Sequence, residues 1–385
     1  MIAVIADDLS GAAELAGVAR GYGFRSEVHT RFDPKSDADV IAVDTDSRSL
    51  PPEKATKRVR SIAGEVLNAK PDWIYKKTDS VLRGNILTEI ETICDLAGLP
   101  RCLFIPANPG KQRIIVRGHY GIEGKALNET ALAHDPEYPA STSRVDELLN
   151  NRSPGRLTLI GQEDSAGAEG IFVPDAREPA HLVKRARHFP ENTLAAGAAE
   201  FFSALLEHRD PTPSTPPVSP TPQSELQLFV CGSQAGWATT RRRECATHCI
   251  PIVPMPRRLF EDDFEDREID QWAAETLTAF AISPRVMLAI GGEKISGLDP
   301  NKLTQRLVDV TSRILRHQAI GRLYLEGGAT AAALIRRQGW NRLQVHEPVA
   351  FGLAALEVSQ ATAPLLTIKP GSYPWPDAVW ADYVE

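Results

Sequence analysis

Cysteine is scarce and unpatterned, with five residues in a chain of 385. That leaves no basis for a disulfide framework, so the thiols are expected to be reduced, as in the cytoplasm. Cys245 and Cys249 flank His248, but a zinc site needs a second ligand pair, so this cluster reads as one face of a helix. Long apolar runs are also missing. Stretches such as Leu226–Cys231 fall far short of a membrane span. The opening MIAVIADD turns acidic too early for a secretory signal. A net charge of −7 argues against a general nucleic-acid binder, although basic loops can still hold small anions. The common nucleotide motifs are absent as well. The string from Gly118 to Lys125 has one residue too many between its glycines for a Walker A loop, and Ala126 stands where Ser or Thr belongs. The lysine, catalytic-loop and DFG set of protein kinases is also missing.

Proline, by contrast, is concentrated. Six of the twelve residues from Pro211 to Pro222 are proline, in the run PTPSTPPVSPTP. Such a run has few backbone donors and no apolar period, and reads as an exposed connector. A length of 385 residues fits two domains. The expected division is an N-terminal domain over 1–209, a proline-rich linker over 210–224 and a C-terminal domain over 225–385. Short apolar strands alternate with helical patterns on both sides. Ile2–Ala6, Val40–Val43, Trp73–Lys76, Leu103–Pro106 and Ile171–Val173 read as strands in the first half. Leu226–Cys231, Val286–Ile290, Leu323–Leu325 and Leu365–Ile368 do so in the second. This alternation predicts an α/β protein with two Rossmann-like domains and mostly parallel sheets. Functional loops then belong at the carboxyl ends of strands. Asn108–Asp146 breaks the alternation and reads as a long functional loop.

Three polar turns end the first-half strands. Asp7-Asp8-Leu9-Ser10-Gly11 places two adjacent carboxylates after the first strand. Either caps the next helix, accepts a proton from a substrate hydroxyl or helps hold Mg²⁺. Asp44-Thr45-Asp46-Ser47-Arg48 ends the second, and Lys77-Thr78-Asp79-Ser80-Val81-Leu82-Arg83-Gly84-Asn85 follows the third. Arg48, Lys77 and Arg83 suit an anion, and Asp79 and Ser80 suit hydroxyls. In the second half, glycine turns follow strands at Gly232-Ser233, Gly291-Gly292, Gly327-Gly328 and Gly371-Ser372. Backbone donors at such turns suit phosphate.

The segments DDLSG, DTDSR, KKTDSVLRGN and IPANPGKQR, with Gly118-His119-Tyr120, Asn128-Glu129-Thr130 and Asp135-Pro136, occur in an order that resembles the four-carbon acid sugar kinase family. The resemblance implies an N-terminal domain that binds the sugar acid and a C-terminal domain that binds ATP. It further implies phosphorylation of a hydroxyl, taken as the terminal one, on a threonate, erythronate or oxo-tetronate. Asp8, Arg48, Lys77, Asp79, Ser80 and Arg83 would line the acid-sugar site. Asp8 is the expected base and Asp79 the second choice, with Arg83 and Lys77 on the sugar carboxylate. Ser233, Gly327, Gly328, Thr330, Lys369 and Gly371 match the nucleotide-contacting positions, with Mg²⁺ bridging the phosphates. The pattern is altered at Ala235, Ala329 and Ser372-Tyr373-Pro374. Two other readings remain open: a metal-dependent sugar-acid phosphatase using Asp7 and Asp8, and a ligand sensor with a degenerate nucleotide site. The expected partners are small molecules, with a homodimer left open.

Overall fold

The computed structural model describes residues 1–135, 137–150, 157–208, 222, 224–232, 241–291, 299–350, 353–359, 363–369 and 375–380. The chain divides into two compact units, Met1–Pro216 and Pro217–Glu385. The proline-rich run lies outside the described residues, apart from Pro222. Among the described residues, no helix is long and apolar enough to cross a membrane.

The first unit is built on parallel strands: β1 (Ile2–Ala6), β2 (Ser26–His29), β3 (Val40–Asp44), β4 (Trp73–Lys77), β5 (Arg101–Ile105), β9 (Leu157–Ile160), β10 (Gly170–Pro174) and β11 (Thr193–Gly197). Their order across the sheet is β2-β3-β1-β4-β11-β5-β10-β9. The IAVIA sequence of β1 is buried throughout, as a central parallel strand covered on both faces requires. Helices α1 (Leu9–Gly21), α2 (Pro52–Asn68) and α3 (Ile86–Ala97) follow β1, β3 and β4. Phe202, on the helix Ala199–Glu207, stacks on Trp73 with ring centres 5.7 Å apart and lies 5.0 Å from Tyr75, fastening that helix to β4.

Asn108–Asp146 is more than a loop. It carries a separate antiparallel sheet of β6 (Arg113–Val116), β7 (His119–Ile122) and β8 (Lys125–Ala126), paired in that order. Gly118, at φ +74°, turns β6 into β7. The extra strand β2 was not expected from periodicity. Its polar residues Glu27 and His29 are buried because they bond to each other at 2.8 Å, and Ser36 donates to the same carboxylate.

The second unit orders its strands β13-β14-β12-β15-β18-β17-β16. These are β12 (Gln227–Cys231), β13 (Ile252–Pro254), β14 (Arg285–Ala289), β15 (Arg322–Glu326), β16 (Arg342–Ala350), β17 (Leu353–Val358) and β18 (Leu365–Lys369). Pairing is parallel from β13 to β18 and antiparallel through β17 and β16. Both units are therefore α/β with mostly parallel sheets, as the alternation predicts.

A wholly buried ion pair lies under the polar turns of the first unit. Lys76 Nζ of β4 sits 2.6 Å from Glu89 Oε2 of α3. Ser47 donates to the other carboxylate oxygen at 2.6 Å, tying the turn after β3 to α3. Glu89→Ala is expected to cost about 3–5 kcal/mol, because it strands a buried ammonium. Chemical denaturation measures this, and an unchanged midpoint would mean that Lys76 needs no carboxylate.

Candidate active site

The carboxyl ends of β3, β1 and β4 are neighbours in the sheet, so their three polar turns meet. Arg48 is the centre. Its Nε and Nη2 donate to the two oxygens of Asp7 at 2.8 and 3.0 Å, and its Nη1 donates to Asp8 Oδ2 at 2.7 Å. Asp79 Oδ1 is 3.8 Å from the same Nη1. The backbone is held equally firmly, since the amides of Ser47 and Arg48 both donate to the Asp7 carbonyl. The Tyr138 hydroxyl donates to the Arg48 carbonyl. Gly84, at φ +91°, lets the chain pass under this arginine, and a Cβ there would lie 3.1 Å from Arg48 Cγ.

Asp8 fills one of the roles left open by its sequence. It is the N-cap of α1, with Oδ1 accepting from the Gly11 amide at 2.8 Å and Oδ2 from the Ser10 hydroxyl at 2.6 Å. It is also the most exposed of the three carboxylates on Arg48, at 18% against 4% for Asp7 and 10% for Asp79. Asp79 is gripped by Arg83 through Nε at 2.8 Å and Nη2 at 3.1 Å. Burial alone would raise the Asp79 carboxyl, but Arg48 and Arg83 outweigh it and hold the group far below the ordinary carboxylate range. Burial likewise works against ionisation of Asp7, and Arg48 and Lys76 overcome it.

The lysine of this site is differently engaged. Lys77 Nζ lies 3.3 Å from Glu14 Oε2 and donates to the Thr78 carbonyl at 2.9 Å. Burial disfavours its charge, but Glu14, Asp8 and Asp7 more than restore it and raise its proton affinity. Lys111 reaches the other oxygen of Glu14 at 3.2 Å. Arg113 of β6 donates to the Ser80 hydroxyl, and the Tyr120 hydroxyl to the Ser80 carbonyl. Asp135 Oδ2 stands 3.7 Å from Arg83 Nη1. The six first-unit residues expected at the site therefore come together, and Asp7, Glu14, Lys111, Arg113 and Asp135 join them. Lys111 and Arg113 lie within IPANPGKQR and Asp135 within its own motif. Glu14 gives no signal in the sequence, where it reads as an ordinary helix position. A cavity of about 500 Å³ adjoins the cluster, lined among others by Leu50, Gly84, Asn85 and Tyr138.

Among the described residues, no group of three His, Cys, Asp or Glu side chains is arranged to hold a metal. Asp7 and Asp8, the pair a phosphatase would offer to an ion, both accept hydrogen bonds from Arg48.

In the second unit, Cys231, Glu326 and Lys369 are register partners at the ends of β12, β15 and β18. Gly327, at φ +105°, leads into the helix Gly328–Gln338, and its amide donates to the Lys369 carbonyl at 2.9 Å. Gly327, Gly328, Thr330 and Lys369 thus share one strand edge. Ser233 and Gly371 lie outside the described residues.

A family profile described as "Sugar-binding N-terminal domain" matches residues 2–205. The chain is 37% identical to a D-threonate kinase of Cupriavidus necator, over 91% of this chain and 88% of that one. It is 32% identical to a D-erythronate kinase of Heliobacterium modesticaldum, over 90% and 88%. The chain belongs to the four-carbon acid sugar kinase family. A solved Haemophilus influenzae protein shares its fold, with a TM-score of 0.71 at 16% identity over 98% of each chain. Within the family's frame, the Arg48 cluster falls inside the residues matched to the sugar-binding domain.

Removing Arg48 tests the electrostatics directly. Asp7 and Asp79 titrate below their unfolded values. The stability they contribute is therefore fully present above about pH 4 and is lost as the pH falls through their folded values. Arg48→Met should cost about 3–5 kcal/mol at neutral pH, where it strips buried Asp7 of its hydrogen-bonded cation, and progressively less in acid. A Tm deficit independent of pH would show that lost packing, not charge, is responsible.

Proposed function

We propose that this sugar-acid kinase transfers the γ-phosphoryl group of ATP to a hydroxyl, the terminal one, of a four-carbon acid such as threonate, erythronate or an oxo-tetronate. The first unit receives the acid and the second the nucleotide. The observation that carries this reading is the Asp8 carboxylate. It is fixed at a strand end by Arg48, Ser10 and Gly11, yet remains the most exposed acid of the cluster. The names of the relatives, a D-threonate kinase and a D-erythronate kinase, support the substrate class.

In the proposed reaction the substrate hydroxyl attacks the γ-phosphorus while the bond to the β,γ-bridging oxygen breaks. The hydroxyl proton passes to Asp8, and ADP leaves with the electron pair. A carboxylate that accepts a hydrogen bond from a guanidinium is a modest base. It suffices here because phosphoryl transfer depends mainly on alignment and charge neutralisation. Asp79 is a poorer acceptor, being pinned by two arginines, and its task is to orient Arg83. Arg83, Lys77 and Ser80 would hold the acid's carboxylate and hydroxyls, with Arg48 keeping Asp8 in place. Magnesium, when bound, neutralises the nucleotide phosphates, and phosphate and water oxygens would supply most of its ligands. On the nucleotide side, Gly327, Gly328, Thr330 and Lys369 would meet the phosphates, with Ser233 and Gly371 proposed alongside them from the sequence.

Asp8→Asn is the decisive variant, because asparagine caps a helix as well as aspartate does. Turnover on the best four-carbon acid, followed as ADP release, should fall about 100- to 10,000-fold while the unfolding midpoint stays put. Near-normal turnover would remove Asp8 from the role of base.

A further inference from the structure

One buried charged cluster in the second unit joins the motif residue Lys369 to Glu326 and Arg241. Glu326 ends β15 and is buried between two cations. Arg241 Nε lies 2.8 Å from its Oε2, and Arg241 Nη2 donates to Oε1 at 3.4 Å. Lys369 Nζ stands 3.5 Å from the same Oε1 and 5.2 Å from the centre of the Trp375 ring. All three charged side chains are at most 2% exposed. Arg241 is also anchored by Glu244, one turn along its helix.

Taking such a triad out of water is expensive, and an apolar core of the same volume is often at least as stable. Its position suggests what it serves. Glu326 and Lys369 are register partners at the carboxyl edge where the phosphates are proposed to sit, and Glu326 directly precedes Gly327 and Gly328. The helix Gly328–Gln338 begins at the same edge and adds the positive end of its dipole.

We propose that Glu326 is a positioning residue for nucleotide binding: fixed by Arg241, it holds the Lys369 ammonium at the ends of β15 and β18 to meet a nucleotide phosphate. The proposal deepens, and rests on, the assignment of this edge to the nucleotide. The carboxylate gives the lysine a defined place before ligand arrives, and the phosphate then takes over as counter-ion. Among the described residues, Glu326, Arg241 and Cys231 act on Lys369, with Trp375 beneath it. Burial pulls the lysine's proton affinity down to about 8, Glu326 works against that fall, and Arg241 adds to it. The protonated lysine, the form that binds phosphate, is therefore depleted as the pH rises through about 8.

The test is binding of a non-hydrolysable ATP analogue with Mg²⁺ to the full chain across this pH range, read by calorimetry. It is paired with the KM for ATP and kcat on the best four-carbon acid. Wild-type affinity should fall as the pH passes about 8. Glu326→Gln should move that break to lower pH and weaken binding roughly tenfold near it, the equivalent of one pKa unit. KM for ATP should change far more than kcat, and Glu326→Asp should restore much of the loss. Binding by Glu326→Gln that is equal or tighter at every pH, with the break unmoved, would overturn the positioning role. Lys369→Met separates the two levels. If it binds the analogue as the wild type does, the assignment of this edge to the nucleotide falls. If it loses binding while Glu326→Gln keeps the wild-type profile, only the role of Glu326 falls.

Discussion

The site in the first unit depends on one guanidinium. Arg48 collects carboxylates from the ends of β1 and β4 while standing at the end of β3. Three acids this close together would otherwise repel one another. The cation holds Asp7 and Asp79 below the ordinary carboxylate range and fixes the spacing of all three, so Asp8 can be both a helix cap and the acid turned toward solvent. Its own placement is secured from below by the Ser47–Glu89–Lys76 chain and from above by Tyr138. Pre-organisation of this kind is what phosphoryl transfer asks of a protein, since most of its catalysis is positioning and electrostatics.

Buried charge is balanced differently at the two sites. Around Arg48, opposite charges outweigh the effect of burial, so Asp79 is held low and Lys77 high. In the second, burial wins. Glu326 is pushed up and Lys369 down to about 8, despite their ion pair. Glu14, Asp8 and Asp7 raise Lys77, whereas at Lys369 Glu326 is opposed by burial and by Arg241. The proposed nucleotide side thus contains a lysine whose proton affinity is lowered to about 8.

Much of the fold was legible along the chain because its central strands are uninterrupted apolar runs. IAVIA and VIAVD could hardly be anything but buried parallel strands, and the polar turns after them marked the site. The strands that escaped notice had local reasons to do so. Ser26–His29 is polar and buried only through its own Glu–His pair, and Thr193–Gly197 is made mostly of small residues. The antiparallel sheet within Asn108–Asp146 is hidden by its short strands and glycine turns. Of the site, Asp8, Arg48, Lys77, Asp79, Ser80 and Arg83 stood in motifs, whereas Glu14 did not.

By itself, the sequence determined which residues would stand at strand ends, because apolar runs and the turns that close them are local properties of the chain. It also determined the family, through motifs in a fixed order. Only the tertiary structure decided which charge meets which. The β3-β1-β4 order brings Arg48 onto Asp7 and Asp8 across some forty residues of chain. The β15-β18 pairing sets Lys369 against Glu326. Charge pairing is a matter of distance in space, and strand order, which is non-local, sets that distance.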